Sequence, residues 1–443
     1  MVSNSAKELS GKKILFASIA ADGHFNPLTG LAKHLIAQGC EVCWYTSGIY
    51  REKLNKLGIR IFPFIRAKDI NSTTLNEIFP ERLSFTEAGD KANFDLINVF
   101  IKQGPDNFLD ILDLRKSFDF DIMIADNMFS AIPYVSAKLE VPVVSIGIIP
   151  LAEASAELGP YGPGFYPAEN DEERTKIAEL KTFFKEHVYR ESTNILSALL
   201  DEYGIAHQKT DFFDIYTKAP DLYLQIGSPS FEYKRDDMGK NVKFIGALLP
   251  YSAQSPSDTP WFDERLKVYK KVVLVTQGTV ERDVSKLIEP TLDAFKDSDV
   301  LVIVTTGGSD TERLRALYPF KNFIIEDYLP FDQVMHFADV FITNGGYGGT
   351  LLSIQHQLPM VAAGVYEGKA EICARLGFFG YGIDLKTERP SSAQIFSAAE
   401  AVMSNPQFKS NIEKLSAELN AYNAYQICTD YIGELIGESR AIV

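Results

Sequence analysis

Asp339-Val340-Phe341-Ile342-Thr343-Asn344-Gly345-Gly346-Tyr347-Gly348-Gly349-Thr350-Leu351-Leu352-Ser353-Ile354 is the stretch on which the fold turns. Residues 340–343 read as a buried strand and residues 351–354 as the start of a helix. Four glycines in five positions stand between them. Glycine loses more backbone freedom on folding than any other residue. A strand-to-helix turn keeps so many where its amides must approach something closely. The expected partner is a phosphate, because free amides and the helix dipole favour negative charge at a helix N-terminus. A lone glycine pair would read as a tight turn; this longer run reads as an anion site.

Outward from this run the chain alternates strands and helices. Strand-like runs in the second half fall at 271–276, 300–304, 323–325, 340–343 and 360–363. In the first half they fall at 13–19, 41–46, 59–64, 122–125 and 141–148, with short ones at 221–224 and 242–245. After the first strand, Asn26 is a good N-cap and Pro27 suits the first helical position. Leu28, Leu31, Ala32 and Leu35 then mark one helical face, and Gly39 ends it. A Pro/Ser-rich segment from 249 to 260 separates the halves. Repeated βα order on both sides predicts two Rossmann-like, doubly wound α/β domains with parallel sheets. They are placed at 1–248 and 263–443, joined by a 249–262 linker. The last helix is expected to pack back on the first domain. Ligands of such domains bind beyond the carboxyl ends of the strands, so the cleft between the domains is the expected site.

Composition narrows the function. The 443 residues are 46% hydrophobic and carry a formal charge of -15, from 59 acidic and 44 basic residues. A phosphate backbone would be repelled, so nucleic acid is not an expected partner. The four cysteines are too few for a disulfide framework and read as reduced thiols, Cys40-x-x-Cys43 included. Residues 1–13 lack the apolar core of a signal peptide, and no apolar run reaches membrane-spanning length. A cytoplasmic protein with no membrane partner is expected.

Two residues have the right chemistry for a base. His24 follows the first strand and Asp126 ends another, so both can enter one crevice. A carboxylate that orients an imidazole and stabilises its protonated form suits general-base work. Gln277-Gly278-Thr279 ends the first strand of the second domain and offers a glycine and a hydroxyl to a phosphate. A metal site would want paired Asp residues after a strand. Asp119-Phe120-Asp121 and Asp297-Ser298-Asp299 precede theirs and read as solvated loop carboxylates. No Gly-Lys-Ser/Thr closes the glycine run, so it is not a Walker loop. As a dinucleotide fingerprint it has Leu351 where the third glycine belongs, with Glu367 at about the spacing of a ribose-binding acid. An NAD(P)-dependent oxidoreductase is therefore the alternative from another class, and a non-catalytic two-lobed binding protein is a third.

In order along the chain, these pieces resemble the GT-B nucleotide-sugar glycosyltransferases, in the bacterial macrolide and flavonoid branch of the UDP-glycosyltransferase-like family. The first domain contributes Gly23-His24-Phe25-Asn26-Pro27, Asp126, and Ala137-Lys138-Leu139-Glu140-Val141-Pro142. The second contributes Gln277-Gly278-Thr279, Tyr328-Leu329-Pro330, residues 343–359 and Gly380-Tyr381-Gly382-Ile383. The resemblance implies inverting, metal-independent transfer. His24 would take the proton of an acceptor hydroxyl, with Asp126 supporting it. The amides of residues 345–350 (Gly345, Gly346, Tyr347, Gly348, Gly349 and Thr350), together with Thr279, would hold the donor diphosphate as charge develops.

The departures from the family pattern are informative. Asn344 stands where a phosphate-contacting His is usual. Gly368 and Lys369 stand where an Asp-Gln pair usually grips sugar hydroxyls, so Lys369 is expected to meet phosphate or sugar. Phe331 replaces a Gln near the base. Leu352 stands where UDP-sugar enzymes carry a ribose-binding Glu. An apolar group leaves a 2′-hydroxyl without that partner, whereas a 2′-deoxyribose makes no such demand. The expected donor is therefore a dTDP-deoxysugar, dTDP-rhamnose first, with UDP-glucose as the alternative. The glycine- and proline-rich loop 159–167 resembles an acceptor-side loop. With Phe129, Phe165, Tyr166 and Phe231 among the aromatic residues of the first domain, an aromatic acceptor such as a flavonoid is expected, a flavonoid rhamnosyltransferase being the sharpest form of the reading.

Overall fold

The structure, a computed structural model, describes residues 9–85, 88–251, 260–278, 281–366 and 368–441. Its first sheet holds β1 (Lys13–Ala17), β2 (Glu41–Thr46), β3 (Arg60–Pro63), β4 (Ile122–Asp126), β5 (Val143–Gly147), β6 (Leu222–Gln225) and β7 (Val242–Phe244), in the order β3-β2-β1-β4-β5-β6-β7. The second holds β8 (Lys271–Thr276), β9 (Val300–Thr305), β10 (Phe323–Glu326), β11 (Val340–Thr343), β12 (Met360–Ala362) and β13 (Gly382–Asp384), in the order β10-β9-β8-β11-β12-β13. Neighbouring strands are parallel throughout both sheets. The apolar runs at 41–46, 271–276 and 340–343 coincide with β2, β8 and β11. Parallel strands are covered on both faces, so they read as near-continuous apolar stretches; β4, β5 and β9 are buried at every residue.

Alternate residues of each strand feed different cores. Leu15, Met123 and Val143 pack on the outer face of the first sheet, and Val273, Val275 and Val302 on that of the second. Ile14, Phe16 and Ile124 share a third cluster with Leu274, Leu301 and Phe341 of the other domain. One apolar core therefore runs from sheet to sheet.

Five helices position the cleft: α1 (Asp22–Ala37), α2 (Tyr347–Gln355), α3 (Lys369–Phe378), α4 (Pro406–Asn420) and α5 (Ala424–Ala441). Two of them begin earlier than the sequence suggests. Helix α1 starts at Asp22, with Ala21 and not Asn26 at its N-cap. The Ala21 carbonyl accepts from the amides of His24 and Phe25, each at 2.9 Å. Phe25 is fully buried, stacked 3.9 Å from Tyr50 and tilted against Trp44 at 4.7 Å, and that packing draws the preceding residues into the helix. Pro27 consequently lies inside the helix and forgoes one backbone bond. Helix α2 starts at Tyr347, so Gly348 and Gly349 are helical and Gly346 is the N-cap.

Helix α5 leaves the second domain and lies against α1. His34 Nε2 is 3.1 Å from Thr429 Oγ1, and its ring stacks on Tyr425. Gly30 of α1 leaves room for the Tyr425 hydroxyl and the Leu249 carbonyl. Of the 249–262 linker, residues 252–259 lie outside the described residues. Asp121 departs from its expected role as a solvated carboxylate: it accepts the Lys13 amide at 2.8 Å and pairs with buried Lys12 at 3.6 Å, capping β1. The four cysteines are buried free thiols, and burial pushes those of Cys40 and Cys43 up to about 11. Among the described residues no helix is long and apolar enough to cross a membrane.

Gly30→Ala is expected to lower stability by about 1–3 kcal/mol, because the added methyl overlaps a backbone carbonyl. Gly437→Ala in α5 meets nothing within 4 Å among the described residues and is expected to be neutral or stabilising by up to about 1 kcal/mol. Urea denaturation of the two variants distinguishes a packed α1–α5 contact from an incidental one; equal effects would refute the contact.

Candidate active site

Strand order reverses between β1 and β4 in the first sheet and between β8 and β11 in the second. Crevices open at such reversals beyond the carboxyl ends of the strands. The first holds His24, in the first turn of α1, and Asp126, the last residue of β4. Asp126 has no exposed surface. One carboxylate oxygen accepts the Ile19 amide at 2.8 Å; the other accepts the Met128 amide at 2.9 Å and lies 2.8 Å from His24 Nδ1. Two backbone donors and the imidazole thus stabilise a buried ionised carboxylate, which burial alone would penalise. With Nδ1 committed to Asp126, Nε2 is the nitrogen left for a reacting proton. The His24 side chain keeps 17% of its surface exposed.

The second crevice is formed by the turns after β8 and β11. The Asn344 side-chain amide donates to the Gln277 carbonyl and ties the two turns together. Gly345 takes a left-handed φ of 80°, and a side chain there would run into Cys373 Sγ at 2.6 Å. Its amide donates to Thr343 Oγ1. The Thr350 amide donates to the Gly346 carbonyl, and the Thr350 side chain is fully buried. Gly345 and Thr350 therefore drop out of the expected set of free amides. Those of Gly346, Tyr347, Gly348 and Gly349 remain, since the start of a helix has no carbonyl behind it. The Tyr347 side chain turns away and donates its hydroxyl to the Ile226 carbonyl of the first domain at 3.0 Å. Among the described residues, nothing lies within 4 Å of the position a Cβ on Gly348 would take.

Helix α3 begins beside this turn. Its N-cap, Gly368, has φ 77°. Lys369 backs directly onto Gly345, whose added Cβ would lie 3.6 Å from the Lys369 Cβ. Two helix N-termini therefore converge on one spot and set a local positive potential against an acidic chain. Gln277, expected to face a ligand, is almost fully buried, with its amide nitrogen 3.3 Å from the Glu281 carbonyl. Gly278 (φ 79°) lines the turn beside the Asn344 amide. Phe331 packs edge-on against Phe341, and both Phe331 and Leu352 rest partly buried on the shared core. Thr279 and Glu367 lie outside the described residues. Among the described residues no group of three His, Cys, Asp or Glu side chains has metal-binding geometry.

Of the aromatic residues expected near an acceptor, Phe129 and Phe231 are core, 0% and 1% exposed. Tyr166 is exposed and packs edge-on against Phe378 of α3. The sequence reading missed a buried ionic group across the domains. Arg375 of α3 pairs with Glu232 of the first domain at 2.7 Å and with Glu371 at 2.8 Å. Its only sequence signal is the i, i+4 spacing of Glu371 and Arg375 on one helix face.

Comparison with known proteins adds a lineage to this geometry. Residues 180–420 match the sequence model of the UDP-glucoronosyl and UDP-glucosyl transferase family. The chain is 32% identical to 4'-demethylrebeccamycin synthase of Lentzea aerocolonigenes, over 96% of its own length and 100% of that protein's. It is 28% identical to UDP-glucosyltransferase 1 of Beauveria bassiana, over 92% of each chain. Among solved structures, the calicheamicin glycosyltransferase CalG4 superposes with a TM-score of 0.73 at 17% identity, over 96% of this chain and 98% of that one. The spinosyn rhamnosyltransferase SpnG in complex with thymidine diphosphate does so with a TM-score of 0.65 at 14% identity, over 95% and 99%. These likenesses establish the two facing Rossmann-like domains as the GT-B fold.

Asp126→Ala strands two buried backbone amides and is expected to cost about 2 kcal/mol or more of stability. His24→Ala removes a partly exposed ring and is expected to cost less than about 1 kcal/mol. Equal losses in denaturant titrations would contradict the assignment of Asp126 as the organising group.

Proposed function

The chain belongs to the family of UDP-glucuronosyl and UDP-glucosyl transferases and is a glycosyltransferase, and from that premise we propose that it transfers a deoxysugar, rhamnose first, from a dTDP-linked donor to a hydroxyl of a small apolar or aromatic acceptor, with inversion. The observation that carries the reaction is the His24–Asp126 contact at the first crevice. An acceptor hydroxyl presented to Nε2 gives up its proton as its oxygen attacks the anomeric carbon. Asp126 offsets the imidazolium charge across the 2.8 Å contact. The donor diphosphate lies at the N-terminus of α2, where the amides of Gly346 to Gly349 meet the charge that develops on the leaving group. Gly348 supports this placement: among the described residues no atom requires a glycine there, whereas close approach of a phosphate does. In this reading the leaving-group charge falls on helix amides, and the reaction calls for no metal. The nicotinamide alternative loses its ground with the family assignment, and Leu351, at its third glycine position, is 1% exposed and packed in the core.

Leu352 supports the thymidine nucleotide. It presents an apolar, partly buried side chain on the first two turns of α2, which offers a ribose 2′-hydroxyl no hydrogen bond. A UDP-glucose donor is the second reading, favoured by the names of relatives such as the Beauveria enzyme. A flavonoid or similar polyphenol fits the acceptor side through the exposed Tyr166 and its loop.

Thermal-shift titrations with dTDP and UDP separate the two donors. The expected result is tighter dTDP binding; clearly tighter UDP binding would overturn the thymidine reading. A donor panel against one flavonol, read by product mass, then identifies the sugar. His24→Ala is expected to reduce turnover by about 10²–10⁴-fold with nucleotide affinity retained, and full activity of that variant would remove His24 from the chemistry.

A further inference from the structure

Residues 151–166 form a strap between the domains. Its first part is fixed to the acceptor-side domain. The Leu151 amide donates to Glu232 Oε1 at 2.8 Å, and Arg235 grips the Glu153 carbonyl and carboxylate at 2.7 and 2.8 Å. Its second part is fixed to the donor-side domain. Glu371 Oε1 accepts the amides of Gly162 and Gly164 at 2.7 and 3.0 Å. Gly164, at φ 73°, lies flush on the Ala370 carbonyl, where any side chain would overlap it. The Tyr161 hydroxyl is brought to the N-terminus of α3, 3.5 Å from where a Cβ on Gly368 would lie, buried and without a hydrogen-bond partner among the described residues.

The second oxygen of Glu371 binds Arg375 at 2.8 Å, and Arg375 binds Glu232. The two ends of the strap are thus joined through one buried Glu–Arg–Glu chain. The same helix touches the glycine turn, because Lys369 and Cys373 pack against Gly345. Glu371 therefore sits between the turn proposed to hold the donor and the loop proposed to face the acceptor.

We propose that Glu371 is a positioning residue: it clamps the strap onto α3, so that the acceptor-side loop keeps register with the donor turn and responds when that turn is occupied. The response to donor rests on the glycosyltransferase reading; the clamp itself does not. Glu371 does not enter the chemistry, so its effect on nucleotide affinity is limited to the coupling between strap and turn.

Hydrogen exchange on the full chain, with wild type and Glu371→Ala, with and without dTDP and UDP, tests this. Without nucleotide, Glu371→Ala is expected to speed exchange in peptides spanning 159–166 by about tenfold or more, while those spanning 344–350 are unchanged. Nucleotide affinity is expected to stay within about threefold of wild type. Nucleotide is expected to protect the strap in wild type and only the glycine turn in the variant. Strap exchange indistinguishable from wild type, or equal loosening across the whole second domain, would overturn the clamp. If neither nucleotide binds wild type, the donor reading fails while the nucleotide-free comparison still judges the clamp. Gly164→Ala, which leaves Glu371 intact and lifts the strap by overlap, gives the same outcome if Glu371→Ala does not fold; wild-type strap exchange in Gly164→Ala would equally overturn the proposal.

Discussion

Asp126 is a carboxylate with no exposed surface, and that constraint organises the cleft. A buried ionised group is tolerated only when its oxygens are satisfied. Three donors do so, and they come from different places in the chain: the amide after β1, the amide after β4 and the imidazole on the first turn of α1. Each fixes one element relative to the others. The early start of α1, unfavourable for Pro27, makes sense in these terms, since it places His24 within reach while burying Phe25 beneath it.

The second domain is held to this arrangement in two ways. A continuous apolar core joins the inner faces of both sheets, and burial of this kind is strong and non-directional. Direction comes from polar contacts that cross the interface: Tyr347 to the Ile226 carbonyl, Tyr381 to the Ser230 carbonyl at 2.9 Å, and Arg375 to Glu232. Burial pushes the Glu232 carboxyl up and the neighbouring guanidinium opposes that shift. Three of these partners, Ile226, Ser230 and Glu232, lie within seven residues of one another between β6 and β7. That short segment is the bearing on which the second domain rests.

Much of the fold was legible because parallel, doubly covered strands leave continuous apolar runs, and because β1, β4, β8 and β11 end in polar or glycine-rich turns. The two helix starts were misplaced for a common reason. Local cap chemistry at Asn26-Pro27 and a count of glycines at 345–349 were each outweighed by packing, of Phe25 in one case and of Tyr347 in the other. Tyr347 keeps its amide at the turn, while its side chain crosses to the other domain, a long-range contact that no local pattern encodes. Phe129 and Phe231 show the same limit, as aromatic residues whose burial depends on partners far along the chain. The Glu232–Arg375–Glu371 chain was invisible for that reason too, apart from its one intrahelical pair.

The central claim is that the amides opening α2 receive the donor diphosphate beside the His24–Asp126 pair. Amide resonances of the labelled full-length protein, followed as dTDP or UDP is added, test it most directly. The account predicts that Gly346, Tyr347, Gly348 and Gly349 show the largest shifts, with Thr350 and Gly345 smaller because their amides are already engaged. Saturable binding that leaves those four resonances in place and moves others would contradict it.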